Sequence, residues 1–148
     1  MPSASVEQTG IDQLAGALFV SVGLLRRRLR QQRVSGSLSF PETAALARLD
    51  RDGPATSAEL ARREQISPQS MGATLSALQE RGLIARSADP QDGRRVVLTL
   101  TGTGRRALRD RRRERVEQLA HGLTGFTAAE LDQLRAAAPL IERLAQQL

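Results

Sequence analysis

Cysteine is absent from this 148-residue chain, which excludes disulfides, thiol redox switches and thiolate-held zinc. Lysine, tryptophan and tyrosine are absent as well, and the only aromatic residues are Phe19, Phe40 and Phe126. Binders of single-stranded nucleic acid stack bases on aromatic rings, so that class is disfavoured. His121 is the single histidine, and with no cysteine beside it the sequence offers no zinc ligand set. No metal and no cofactor are expected. No apolar run reaches the length of a membrane span or a signal segment, so the expectation is a cytoplasmic protein without membrane attachment. No nucleophile–base pair, glycine-rich phosphate loop or paired carboxylate site can be argued from spacing, and an enzyme is not expected.

What the chain does have is arginine. All 22 basic residues are arginine, against 16 acids, for a net charge of +6. A basic excess favours polyanionic partners, nucleic acid first, with a solvated arginine-rich surface as the alternative. The excess is uneven: residues 1–53 carry +2, residues 54–101 only +1 and residues 102–148 +3. A nucleic-acid role for the middle segment therefore has to rest on where its arginines are placed.

The hydrophobic pattern is helical over most of the length. Leu14, Leu18, Val22, Leu25 and Leu29 recur every three or four residues and define a long amphipathic helix from residue 11 to residue 33, after a loose polar end at residues 1–10. Arg26, Arg27, Arg28, Arg30 and Arg33 crowd its C-terminal half, where positive charge suits the helix dipole. Three Ser/Thr-x-x-Glu pairs, Ser39/Glu42, Thr56/Glu59 and Thr127/Glu130, mark helix starts as capping boxes. Ser67 with Pro68 marks a fourth start, and Gly82 a stop. The stretch 52-DGPA-55 reads as a turn, and 65-QIS-67 as a tight break between two helices. Residues 83–87 and 95–100 read as strands joined by an Asp/Pro/Gly turn, with Val96, Leu98 and Leu100 on one face and Val97 and Thr99 on the other. Gly102 and Gly104 punctuate before a helix over 105–123, and Pro139 should kink the last helix.

Helix, short helix, tight break, helix, hairpin is the order of a helix-turn-helix followed by a wing. In the helix opened by Ser67, Met71, Leu75 and Leu78 share the core face. Ser67, Gln69, Ser70 and Ala73 make a small, mildly polar outward face, and Thr74 lies at the border. Such a surface fits a major groove: Gln pairs with adenine, Ser and Thr meet bases or phosphates, and Ala meets the thymine methyl. An amphipathic helix with a bland surface is the equal alternative for this helix taken alone. At the hairpin tip Arg94 and Arg95 follow Asp92-Gly93, and an arginine on a thin loop suits a narrow minor groove. Asp89 and Asp92 are placed to clamp an arginine head, with Arg86 across the hairpin as a second partner.

The stretch 57-SAELARREQISPQSMGATLSALQERGLIARSADPQDGRRVVLTLTGTG-104 resembles the MarR family of bacterial transcriptional regulators. The shared features are the Leu-Ala helix, the Ser-Pro-x-Ser start, the Gly-Leu-Ile-x-Arg exit and the Asp-Pro-x-Asp-Gly-Arg-Arg wing closing on Leu-Thr, in order and in register. With the flanking helices the likeness spans roughly residues 11 to 148. It implies a mainly α fold with a small β-hairpin: a winged helix-turn-helix carried between N- and C-terminal dimerisation helices. The implied layout is a flexible N-terminus at 1–10, a dimerisation helix at 11–38, the winged helix-turn-helix at 39–104 and dimerisation helices at 105–148. It places Ser67, Gln69, Ser70 and Thr74 on recognition-helix positions, Arg94 on the wing arginine, and Asp92 and Arg86 in the wing's support. The pattern departs in one respect. The recognition face has no arginine before Arg81, which leaves bidentate guanine readout in doubt and shifts weight to Gln69, DNA shape and the wing.

The function expected is a homodimeric, sequence-specific double-stranded DNA binder acting on an inverted repeat, with half-sites about one helical turn apart. Repression, and release by a small-molecule effector in the cleft between dimer helices and DNA-reading lobe, come from the resemblance alone. A winged-helix module for protein–protein contact is the rival reading, favoured by the near-neutral middle segment. Arg62 and Arg63 are candidates for phosphate contact, with a solvated face equally open. The run 109-RDRRRER-115 reads as a salt-bridged exposed helix, and Arg26 to Arg33 as a lesser candidate for facing DNA.

Overall fold

The computed structural model describes the backbone of residues 3–31 and 36–148, with side chains from residue 7 onward in those ranges. The order of elements is α1 Ser3–Gln31, α2 Phe40–Asp52, α3 Ser57–Arg63, α4 Pro68–Glu80, β1 Ile84–Ala88, β2 Val96–Leu100, α5 Gly102–Leu123 and α6 Ala128–Gln147. The architecture is the mainly α winged helix-turn-helix with a two-stranded antiparallel hairpin.

All three predicted capping boxes form. In each, the Ser or Thr oxygen accepts the N–H of the glutamate three residues on, and that glutamate accepts the N–H of the cap. Ser67 caps α4 by accepting the Ser70 N–H at 3.1 Å, and Pro68 occupies the first turn, where its missing N–H costs nothing. Gly82 ends that helix with φ +67°, a conformation that glycine takes without strain. The break between α3 and α4 uses Gln65 at φ 54°, so a side-chain-bearing residue occupies a left-handed position. The Ile66 N–H reaches back to the Ala61 carbonyl at 3.1 Å and closes the turn.

Three expectations are corrected. α1 begins at Ser3, so residues 3–10 are helical rather than a loose end; Gln8 donates to Asp12 one turn on, at 3.1 Å, and extends the helix toward the N-terminus. α5 begins at Gly102, so the two glycines lie inside its first turn. Ala55, read as part of a turn, pairs with Leu98 of β2 in both directions, at 3.2 and 2.8 Å, and tethers the hairpin to the segment ahead of α3. α6 is continuous through Pro139. Arg33 and residues 34 and 35 of the expected break lie outside the described residues.

The chain divides into two compact units, Met1–Arg111 and Arg112–Leu148. The division falls within α5, beyond the boundary expected after residue 104. The core of the first unit is built from α2, α3, α4 and the hairpin. Leu46, Leu60, Met71, Leu75, Leu78 and Leu98 are its largest fully buried side chains, each contributing about 2 kcal/mol by leaving water. Ala107 and Leu108 of α5 pack against the same core, which holds the start of that helix to it. On β2, Leu98 and Leu100 face this core as expected, but Val96 is exposed and Val97 is buried. Val97 shares a groove with Pro54, Arg95 and Thr99 on the other face, so both faces of β2 are partly covered. No helix among the described residues is long and apolar enough to cross a membrane.

Candidate nucleic-acid interface

α4 presents the face that its sequence pattern predicted. Met71, Leu75 and Leu78 are buried, whereas Ser67, Gln69, Ser70, Ala73, Ser76 and Glu80 are exposed and Thr74 is half-buried. The hydroxyls at its start are arranged by the helix itself. Ser67 donates to the Ser70 hydroxyl at 2.9 Å, and Thr74 donates to the Ser70 carbonyl at 3.0 Å. The Gln69 amide carries no hydrogen bond to the described residues.

β1 and β2 pair from Ile84↔Leu100 to Ala88↔Val96, and residues 89–95 form the tip. Two aspartates shape that tip by accepting backbone N–H groups two residues on: Asp89 from Gln91 at 2.9 Å and Asp92 from Arg94 at 3.1 Å. The Arg95 N–H closes a β-turn onto the Asp92 carbonyl at 2.9 Å, which puts Gly93 and Arg94 at the corner. Asp92 thus supports the wing through the backbone and not by holding a guanidinium.

The two adjacent arginines are treated differently. Arg95 donates to Glu59 Oε1 of α3 at 2.7 Å and lies 3.7 Å from Asp89. The Arg94 guanidinium is exposed and makes no hydrogen bond or ion pair with the described residues. Arg95, expected beside Arg94 as a groove-reading residue, is therefore committed to the protein in this state. Arg86 does not pair with Asp89 or Asp92 either. Its Nε donates to Gln79 Oε1 at 2.6 Å, joining β1 to α4, because alternation along the strand turns it toward that helix.

Glu59 serves both assemblies. Its Oε2 accepts the Thr56 N–H at 2.8 Å while Oε1 receives Arg95. The Thr56 N–H is the main cause holding this carboxyl below the usual glutamate range; burial opposes it, and Arg95 adds to the lowering.

The remaining arginines divide in the same way. Arg63 reaches Asp52 at 3.4 Å, and Arg48 joins Asp52 and Glu64 at 3.5 and 2.8 Å, whereas Arg62 is exposed with no partner among the described residues. Arg81 is anchored to Glu42 at 3.3 Å and to the Gly36 carbonyl at 3.1 Å. Arg26 and Arg30 lie over the Phe40 ring at 5.3 and 4.4 Å, so two of the arginines considered for DNA have an intramolecular partner. Arg111, expected on an exposed face, is buried and donates to the Ser37 hydroxyl at 3.3 Å. The described residues contain no cluster of acids and histidine able to hold a metal ion.

The order α3, tight turn, α4 and β1–β2 hairpin defines a winged helix-turn-helix. The MarR family model matches residues 38–96. An uncharacterised HTH-type transcriptional regulator of Mycobacterium bovis is 35% identical over 129 residues, covering 87% of this chain and 90% of the relative. An HTH-type transcriptional repressor of Mycobacterium tuberculosis is 36% identical over 95 residues, covering 64% of this chain and 68% of the relative. The crystal structure of a candidate transcriptional regulator from Pseudomonas aeruginosa superposes with a TM-score of 0.75 at 37% identity, covering 90% of this chain and 94% of that one. The chain belongs to the MarR family of DNA-binding transcriptional regulators.

Proposed function

We propose that the protein binds an inverted-repeat operator as a homodimer, with α4 in the major groove and Arg94 in the adjacent minor groove. The observation that carries this reading is the free guanidinium of Arg94 at the corner of a pinned turn, beside an arginine that two acids hold. Ser67, Gln69, Ser70, Ala73 and Thr74 supply the major-groove surface, and Arg62 a phosphate contact. Arg63, 43% exposed, would reach a phosphate only by giving up its 3.4 Å contact with Asp52. The near-neutral charge of residues 54–101 understates the cation available to DNA, because Glu59 and Asp89 share the one arginine Arg95 while Arg62 and Arg94 have no side-chain partner among the described residues.

Dimerisation is supported by apolar surface left open on single helices. On α1, Leu14, Phe19 and Val20 are 61%, 84% and 67% exposed, and α6 has no buried residue. Repression is supported by the relative named as a repressor. Release by a small molecule is supported by an apolar pocket of about 190 Å³ between α2 and α4, lined by Phe40, Pro41, Ala44, Ile66, Met71 and Thr74. An occupant there would press on the helix that reads the bases.

The test is affinity for a duplex recovered by selection from a random-sequence pool, measured across salt. Binding should fall steeply as salt rises, since phosphate contacts release counterions. Arg94→Ala should weaken it by about tenfold or more, the loss of one specific contact per subunit. Salt-independent affinity, or no effect of Arg94→Ala, would refute the reading.

A further inference from the structure

We propose that Arg95 is a positioning residue rather than a DNA ligand: held between Glu59 of α3 and Asp89 of the hairpin, it fixes the angle of the wing relative to the helix-turn-helix. The inference rests on the reading of Arg94 as the groove-entering residue, and assigns its neighbour the opposite task.

The geometry carries it. The hairpin is tethered at its base by the Ala55–Leu98 pair, and its ladder ends at Ala88↔Val96. Beyond that point, among the described residues, a single side-chain link joins the tip to the helices, from Arg95 to Glu59 at 2.7 Å, with Asp89 steadying the same guanidinium at 3.7 Å. Glu59 has no slack of its own, because its second oxygen is bound to the Thr56 N–H at the start of α3. A single carboxylate therefore sets both the first turn of the helix-turn-helix and the angle of the wing. Ion pairs this exposed add little to folding stability. Their effect is on preorganisation, since a wing already aimed loses less freedom when DNA arrives.

The sign of one substitution separates positioning from direct contact. If Arg95 met a phosphate, Glu59 would be its competitor. Glu59→Gln would then free the arginine, remove an acid from the DNA side and tighten binding. If Glu59 holds the wing through Arg95, Glu59→Gln loosens binding although a negative charge is lost.

The experiment uses the full chain and a selected duplex, with Arg94→Ala, Arg95→Gln, Glu59→Gln and the Glu59→Gln/Arg95→Gln double variant. Arg95→Gln and Glu59→Gln should each weaken binding about tenfold, and the double variant should bind like Arg95→Gln alone, the signature of one shared interaction. Arg94→Ala should lower the salt slope by about one per subunit, whereas Arg95→Gln should leave it unchanged. Tighter binding by Glu59→Gln, or a slope lost equally with Arg95→Gln, overturns the assignment. A second arm needs no DNA. Amide hydrogen exchange over residues 89–95 of the free protein should quicken in Glu59→Gln and Arg95→Gln but not in Arg94→Ala. Unchanged exchange in the first two overturns the inference even where Arg94 proves to bind DNA. Quickened exchange upholds the pinning even where Arg94→Ala leaves DNA binding intact and the wing reading fails.

Discussion

Gly104 lies so close to Leu83 that a Cβ on it would sit 2.2 Å from the Leu83 carbonyl oxygen and 2.6 Å from a terminal methyl of Leu100. The carbonyl is held in place by the Thr101 N–H at 3.1 Å, so it cannot move aside without losing that bond. Gly104→Ala should therefore destabilise the first unit by about 1–3 kcal/mol, as overpacking of a tight contact does. Gly102→Ala, with nothing within 4 Å, is the control and should be neutral or stabilising by up to about 1 kcal/mol. Urea unfolding of the two variants checks the difference, and equal midpoints would contradict it.

Acid should cost this fold the help of its capping glutamates. Glu59 is held below the usual range chiefly by the Thr56 N–H, with Arg95 adding to it, and Glu130 by the Thr127 N–H and hydroxyl. A carboxyl whose folded value is depressed contributes stability above its unfolded value, near 4.3 for glutamate, and that contribution fades as pH falls through the folded value. Unfolding midpoints should thus decline below about pH 4.3. Glu59→Gln and Glu130→Gln should flatten that decline while lowering stability at neutral pH. A variant profile parallel to the parent's would remove these groups from the account.

Much of this was legible in the sequence because the rules involved are local. Capping boxes join residues three positions apart, and Ser39, Thr56 and Thr127 each met their glutamate as the spacing required. The face of α4 followed from helical periodicity alone. What was not legible depends on packing. Arg95 meets Glu59 across 36 positions, and Arg86 meets Gln79 rather than a nearby aspartate, because strand register and not sequence distance decides what a hairpin side chain can touch. Gly104 read as loop punctuation because a glycine needed for close approach looks the same in sequence as one needed for a turn. Arg111 read as exposed because its neighbours are charged, yet it turns inward to Ser37.

The apolar surface of α1 makes a prediction about assembly. Phe19 is 84% and Leu14 61% exposed, apolar surface that a second copy would cover on the proposed reading. Light scattering at micromolar concentration should give twice the 16.1 kDa chain mass. Leu14→Glu should shift it toward the monomer, because a carboxylate buried without a partner costs several kcal/mol. A parent chain that scatters as a monomer would leave that surface without the occupant proposed.

Base preference should be tied to Gln69 more than to any other side chain of α4. It is exposed near the N-terminus of the helix, where a groove-seated helix meets base edges, and its amide has no competing hydrogen bond among the described residues. Its serine neighbours differ: the Ser67 oxygen accepts the Ser70 N–H, and its proton goes to the Ser70 hydroxyl. An amide offers a donor and an acceptor together, which matches adenine N7 and N6 and no other base edge as well. Gln69→Ala should lose about 1–3 kcal/mol against the selected duplex and relax discrimination at one base pair in each half-site, with the salt slope untouched. Repeating the selection with the variant decides it: an unaltered consensus would assign sequence choice to DNA shape and the wing instead.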